Sequence, residues 1–420
     1  MLERGAGAVF VIVLSACSSG PIAQPVSLPP PLASGECPSE WARVDQARYE
    51  GGGSIVSLDR GRFALMLPNP DYRWTGAVSR GSSEPSEWHV FDSCGHDQAP
   101  RGLPPAALLI DEDRVLRAAL VAEWFVEWAG VPIPAEFTAK GYALFRLAGD
   151  VRNVLSVTSE QAPPDEIAFA WSGLLRAPSG RDSAPSLTRE DPDSRRRWRL
   201  QFSPEVVHVE SLAAATSRAF VLVELRLPEG GYPLGLIAVD REGAAGPTIR
   251  IGESTARHRF DVAGAFGTLA RELDDSLVVT RFGPAGEEVW TKVVVAGVRA
   301  FGRLALGSAP GGRSVVGFAT TDSRFEVCGQ TQRSGTPGPT RSYVIGIEPD
   351  GSCGFVIAIA PDETPSSVGA VAMPTDEAVA VTWNEPYGHR GDDRDPTEWL
   401  VHTESRRWAS LVETSRQATR

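Results

Sequence analysis

The segment Asp275-Ser-Leu-Val-Val-Thr-Arg-Phe-Gly-Pro-Ala-Gly-Glu-Glu-Val-Trp290 reads as a strand, a four-residue turn and a second strand. Pro284 at the second turn position presets φ, and Gly286 closes the turn in the left-handed conformation that returns the chain to a ladder. Two further stretches share the design. Leu234-Gly-Leu-Ile-Ala-Val239 runs into Asp240-Arg-Glu-Gly243, and Tyr343-Val-Ile-Gly-Ile347 runs into Glu348-Pro-Asp-Gly351, then Ser-Cys-Gly-Phe355. Ahead of these lies a second element, a small-apolar strand, a polar turn and a β-branched strand. Its copies are Leu212 to Glu224, Leu304 to Gly317 and Ala370 to Thr382. Two hairpins per unit make a four-stranded sheet.

A repeated four-stranded unit is the blade of a β-propeller. The expected fold is all-β, a propeller of seven four-stranded blades, since 54–415 divided by a blade of about 50 residues gives roughly seven. The expected blades are 54–100, 106–160, 161–210, 211–254, 255–297, 298–364 and 365–415. Asp111 to Ala129 carries competing periods. Val115, Leu116, Ala119, Leu120 and Trp128 partly fit a helical stripe, whereas Glu123, Phe125 and Glu127 alternate with Trp124, Val126 and Trp128; the strand reading is preferred. Gly141 to Val157 fits the strand–turn–strand outline without a closing glycine. Ala177 to Arg197, rich in Arg, Asp, Ser and Pro, reads as an insertion in the third blade. The 275–290 segment resembles the repeats of bacterial β-propeller-repeat proteins of the SBBP type, common in myxobacterial-style cell-envelope lipoproteins. The shared pattern is an aromatic or aliphatic strand, a turn closing on Gly and an aromatic four residues later. The likeness covers 268–360, is weaker over 210–254, where the aromatic after Gly243 is missing, and thins out over 54–205. It implies a fold and no reaction.

At the other end of the chain, Leu14-Ser-Ala-Cys17 closes an apolar run that begins at Gly5. It resembles the lipobox of bacterial lipoproteins, a small-residue cleavage site before the cysteine that becomes the lipidated first residue. The run is shorter than the ~20 apolar residues a spanning helix needs. The expected division is a lipoprotein signal peptide over 1–16, lipidated Cys17 and a Pro/Ser-rich tether over 17–36, and the propeller over 37–420. Pro29, Pro30 and Pro31 make that tether semi-extended. The resemblance implies acylation (palmitate) and a lipid anchor in the cell envelope. Ser18 stands where an inner-membrane retention signal carries Asp, which implies the outer membrane.

A net charge of −12 with only two lysines, Lys140 and Lys292, argues against nucleic acid, whose phosphates call for clustered basic residues. After Cys17 four cysteines remain, Cys37, Cys94, Cys328 and Cys353. In an exported chain they suggest two disulfides with three possible connectivities. Pairing of sequence neighbours, Cys37–Cys94 and Cys328–Cys353, is expected. None has C-x-x-C spacing, and no metal or other cofactor is expected.

His389-Arg-Gly-Asp-Asp-Arg-Asp395 is the densest polar cluster. Asp392, Asp393 and Asp395 suit Ca²⁺, with Thr397 and Glu404 at further loop positions counted from Asp393. Glu398 stands where the sharp turn needs Gly, so a solvated loop is the preferred reading. Arg390-Gly-Asp392 spells an adhesion tripeptide, which an exposed loop explains equally. Cys94, His96 and Asp97 could form a nucleophilic triad, but an oxidising compartment favours a paired Cys94. Glu123 and Glu127 on one strand would sit about 13 Å apart, beyond the ~9.5 Å of inverting glycosidases. His89, His208, His258 and His402 show no ligand spacing, and the tryptophans read as blade packing. No catalytic residue is assigned. The expected function is a monomeric, membrane-anchored binding or scaffold lipoprotein that engages an envelope protein or glycan through its loop face. The rivals are a propeller enzyme, a polysaccharide lyase or hydrolase, and a purely structural envelope accessory. Charged groups clustered at the channel mouth favour the enzyme, and an exposed aromatic face favours binding.

Overall fold

The computed structural model describes residues 40–47, a set of strands with residues 95–96 between 54 and 160, and most of 166–418. Within that last span it omits 172, 178–183, 192–194, 215–216, 254–256, 299–300, 303, 334–339, 360–364 and 387–398. Seven sheets follow one another along the chain, each winding from a first strand outward. Blade I holds Ser54–Ser57, Phe63–Pro68 and Ser86–Phe91, and blade II holds Leu108–Glu112, Val115–Ala122, Tyr142–Leu147 and Val154–Glu160. Blade III is Glu166–Ala170, Gly173–Ala177, Ser186–Glu190 and Arg196–Gln201. Blade IV is Val206–Ala214, Arg218–Leu225, Pro233–Asp240 and Ile249–Glu253. Blade V is His258–Ala263, Phe266–Leu273, Ser276–Phe282 and Glu288–Ala296, and blade VI is Ala305–Ser308, Ser314–Thr320, Arg341–Ile347 and Cys353–Ala358. First strands of successive blades touch from II round to VII, and again between VII and I. This is a β-propeller.

Blade VII draws three strands from the C-terminal region, Ser367–Thr375, Ala378–Pro386 and Trp399–Arg407, and its fourth from the other end of the chain. Trp41–Ala47 pairs antiparallel with Trp399–Arg407, from Trp41↔Ser405 to Ala47↔Trp399. The last blade is therefore not completed within 365–415, as the repeat pattern suggests. The N-terminal strand closes it and covers the edge that Trp399–Arg407 would otherwise leave open.

The turn chemistry behaves as read. Gly243, Gly286 and Gly351 have φ of +88°, +87° and +82°. Their N–H groups donate to the carbonyls of Asp240, Gly283 and Glu348 at 3.1, 2.9 and 2.9 Å. The first residue of each turn also donates back across it, as Gly283 does to Glu287 at 2.8 Å, and the ladder slips by one residue beside two of these turns. That is a turn plus one-residue bulge, where only a residue tolerant of positive φ fits. Second strands such as Arg218–Leu225 and Ser314–Thr320 are apolar on both faces, because each blade is sandwiched between two others.

Three expectations are corrected. The stretch 177–197 is no insertion: Ser186–Glu190 and most of Arg196–Gln201's hairpin fall there or at its edge, as the outer half of blade III. The third blade also ends sooner than 210, since Val206–Ala214 already opens blade IV. Trp408–Ala418 is a helix. Its Trp408, Leu411 and Val412 pack on the outer part of blades VI and VII, Trp408 meets Phe355 edge-on at 4.9 Å, and Ser415 Oγ accepts from Val356 N at 3.0 Å. Between Asp111 and Ala129 every described residue is in a strand, while 123–126, part of the alternating stretch, lie outside the described residues. Val115–Ala122 belongs to blade II, and Glu127–Trp128 starts a separate small hairpin with Val131–Pro132.

Candidate functional site

Antiparallel winding fixes which loops share an end of the ring. First-to-second and third-to-fourth connections lie at one end; second-to-third connections and blade-to-blade crossovers lie at the other. The four longest connections inside a sheet are 69–85, 123–141, 321–340 and 387–398, and all are second-to-third. The strand ends that these long connections join thus lie at one end of the ring, the loop-rich end, and the described tight turns such as 240–244, 283–287 and 348–352 lie at the other.

At the loop-rich end, the interface between blades IV and V carries a row of charged groups over an apolar floor. The floor is Phe220, Leu222, Leu234, Leu236, Leu269 and Phe282, all buried. On blade IV the register sets His208 opposite Glu224 and Leu234 opposite Gly252. On blade V it sets His258 opposite Arg271. Directly opposite residues share a face, so these groups look toward the facing blade just beyond the floor. His208 Nε2 and His258 Nε2 lie 4.0 and 3.9 Å from the two different oxygens of Glu210. Two register shifts in Val206–Ala214 explain how His208 and Glu210 come to this side. They put Val206, Val209 and Leu212 into the core against blade III at three-residue spacing, a re-aiming that bulges achieve.

Arg271 is 8 % exposed, and its Nε is buried without an acceptor. A Cβ on Gly252 would lie 2.7 Å from Arg271 Nη1, so the bare backbone of blade IV's outer strand is what leaves room for the guanidinium. Burial pushes the Arg271 pKa down, opposed by the Glu288 carboxylate. A second buried arginine shows the contrast. Arg281, between blades V and VI at the tight-turn end, donates to Thr268 Oγ1 at 2.8 Å and Ser314 Oγ at 3.3 Å. Its guanidinium also lies over the Phe266 ring at 4.8 Å. Burial still lowers its pKa to about 10, with Asp261 and Asp376 opposing. Arg281 Nη1 is held by two hydroxyls, whereas the buried Nε of Arg271 has no acceptor. Next to this row, Tyr232 is 52 % exposed at the loop end of blade IV. It precedes Pro233, whose register partner Glu253 adjoins Gly252.

Of the residues singled out in the sequence, Cys328 and Cys353 are joined, with Cα atoms 6.2 Å apart. They are not in one sheet, as the repeat reading expects. The hairpin Arg324–Val327/Gln330–Arg333 arises within blade VI but joins blade V's outer strand through Val295↔Val327 and Ala296↔Glu326. The disulfide ties it back to blade VI's outer strand. Glu127 opens the short strand Glu127–Trp128, and its proposed partner Glu123 is not among the described residues, so the structure does not test that pair. His402 Nε2 meets Glu385 Oε2 at 2.8 Å and stacks on Trp383, a packing role. His96 is exposed. Cys17, Cys37, Cys94, Asp97, Glu123, His389, Arg390, Asp392, Asp393 and Asp395 lie outside the described residues. Among the described residues no group of three or more His, Cys, Asp or Glu is placed to hold a metal ion. The His208–Glu210–His258 row escaped the sequence because its members stand on different blades. The one signal is that the two histidines open equivalent first strands, one blade repeat apart.

No family model and no curated protein matches the chain. Among solved structures, it is similar to the β-propeller domain of the Trilobed protease from Pyrococcus furiosus, at 9 % identity and TM-score 0.44 over 82 % of this chain and 99 % of that one. It is also similar to a subtype N10 neuraminidase-like protein of a little yellow-shouldered bat isolate from Guatemala (9 %, 0.35, 64 % and 86 %). A subtype N11 neuraminidase-like protein of a flat-faced bat isolate from Peru matches likewise (9 %, 0.34, 85 % and 96 %).

Proposed function

We propose that this β-propeller is an envelope-anchored binding protein that recognises a glycan of the cell envelope on its loop-rich face, at the mouth of the blade IV–V interface. The observation that carries this reading is the coincidence of three features at one end of the ring: the strand ends joined by the longest connections, the charged row over an apolar floor, and the exposed Tyr232 ring. Ligand sites favour that combination of an apolar surface with a few convergent polar groups. The anchor agrees with it. Trp41 enters blade VII opposite Ser405, at the tight-turn end. A lipid on Cys17 would then be tethered from the end opposite the recognition face, through 24 residues reaching up to about 80 Å. Lipidation at Cys17, an outer-membrane address and a monomeric state belong to this proposal.

The test is co-sedimentation of the protein with isolated cell-wall and surface polysaccharide. Tyr232→Ala should weaken binding, while Pro349→Ala in a tight turn of the opposite end should not. Equal binding by both variants and wild type overturns the reading. The His208–Glu210–His258 row favours a second reading, cleavage of that glycan. Time-dependent release of reducing ends that is lost in His258→Ala would establish it over binding alone.

A further inference from the structure

We propose that Arg271 is the recognition group for a carboxylate carried by an acidic sugar of the ligand, bound where blades IV and V meet. The proposal rests on the reading that this face binds glycan. It is carried by the state of Arg271 itself. A buried guanidinium is ordinarily paired with a carboxylate or fully hydrogen-bonded, because desolvating an unpaired charge costs several kcal/mol. Arg281 on the next interface follows that rule through Thr268, Ser314 and Phe266. Arg271 has a buried Nε with no acceptor, and among the described residues no carboxylate oxygen lies within ion-pair distance of it. Gly252 keeps the space beside Nη1 free of any side chain. The arrangement spends stability on a cation that is satisfied only when something else arrives, and a planar carboxylate is the group that a guanidinium fork matches best.

The neighbours say which carboxylate. Glu210 and Glu224 flank the row with acceptors, so an acidic peptide bearing several charges would be repelled there, as it would by a chain of net charge −12. A sugar acid brings one negative charge surrounded by hydroxyls. The hydroxyls donate to Glu210 or exchange hydrogen bonds with His258, the carboxylate pairs with Arg271, and the sugar's apolar face has Tyr232 close by.

The experiment is ligand-observed NMR on the full-length protein in detergent, with D-glucuronate, its methyl ester and D-glucose as probes. Glucuronate should bind at least about tenfold more tightly than the ester or glucose, since a hydrogen bond to a charged group contributes about 1.5–3 kcal/mol. Arg271→Gln should abolish that preference yet melt no lower than wild type, because it removes an unpaired buried charge. Equal binding of the three probes, unchanged glucuronate binding by Arg271→Gln, or a melting temperature several degrees lower in that variant overturns the proposal. If polysaccharide binding still depends on Tyr232 while glucuronate shows no preference, the face is right and the acidic sugar is wrong. If neither holds, both readings fall.

Discussion

Replacing Trp41 by alanine attacks a contact set that helps to join the two ends of the chain. The Trp41 ring stacks on Phe63 at 5.6 Å with 3° between planes and meets Phe91 at 5.1 Å, tilted by 38°. Its third side is covered by Gly95, where a Cβ would lie 2.5 Å from the indole. Phe63, Leu65 and Phe91 of blade I pack there against Ala372, Ala380 and Val401 of blade VII. A fully buried Trp→Ala change costs about 3–5 kcal/mol, and aromatic pairs add about 0.5–1.5 each. Trp41 is only partly buried, so about 3 kcal/mol is expected. Urea unfolding followed by far-UV circular dichroism reads this directly. With a slope of about 3 kcal/mol/M, the midpoint should fall by about 1 M. A chain beginning at residue 49 loses the whole seven-residue ladder and leaves Trp399–Arg407 as an open edge. That loss approaches a total stability of about 5–15 kcal/mol, and no cooperative transition should remain. A chain beginning at residue 39 should match the parent. A Trp41→Ala midpoint within about 0.2 M of wild type, or a cooperative transition in the chain beginning at 49, refutes closure by the N-terminal strand.

Cys328→Ala should destabilise by roughly 3.5 kcal/mol on the loop-entropy relation for a 25-residue separation, read from the same urea transition; peptide mapping that joins Cys94 to Cys328 would reject the pairing. Gly351→Ala forces a side chain into φ +82° against the Trp290 ring, 3.0 Å from the new Cβ. It should cost about 1–2 kcal/mol, and no change in melting would contradict the turn geometry. Metabolic labelling with palmitate should mark the wild type and not Cys17→Ala; equal labelling of the two would reject the lipid anchor.

What the sequence made legible was local. Gly243, Gly286 and Gly351 each close a turn between strands only a few residues apart, so turn chemistry and alternation suffice to place the third and fourth strands. The first hairpins at 212–224, 304–317 and 370–382 were readable for the same reason. Trp41–Ala47 was not, because its partner lies some 360 residues away and nothing in Trp-Ala-Arg-Val-Asp-Gln-Ala names it. Arg196–Gln201 is blade III's outer strand with one face toward solvent, and its arginines gave it the composition of a loop. Trp408 was expected to pack on a blade and does so, but from a helix whose apolar stripe is only Trp408, Leu411 and Val412. The charged row was hidden because His208, Glu210, His258 and Arg271 become neighbours through bulges and blade stacking, which leave no spacing signature.

Hydrogen–deuterium exchange of the full-length protein with and without bound envelope polysaccharide tests recognition at the IV–V mouth most directly. Protection should appear in 224–234 and 257–273, which carry Tyr232, His258 and Arg271, and not at the opposite-end turns 240–244, 283–287, 309–313 and 348–352. Protection confined to those turns, or spread along the outer strands with none at 224–234, would contradict the account.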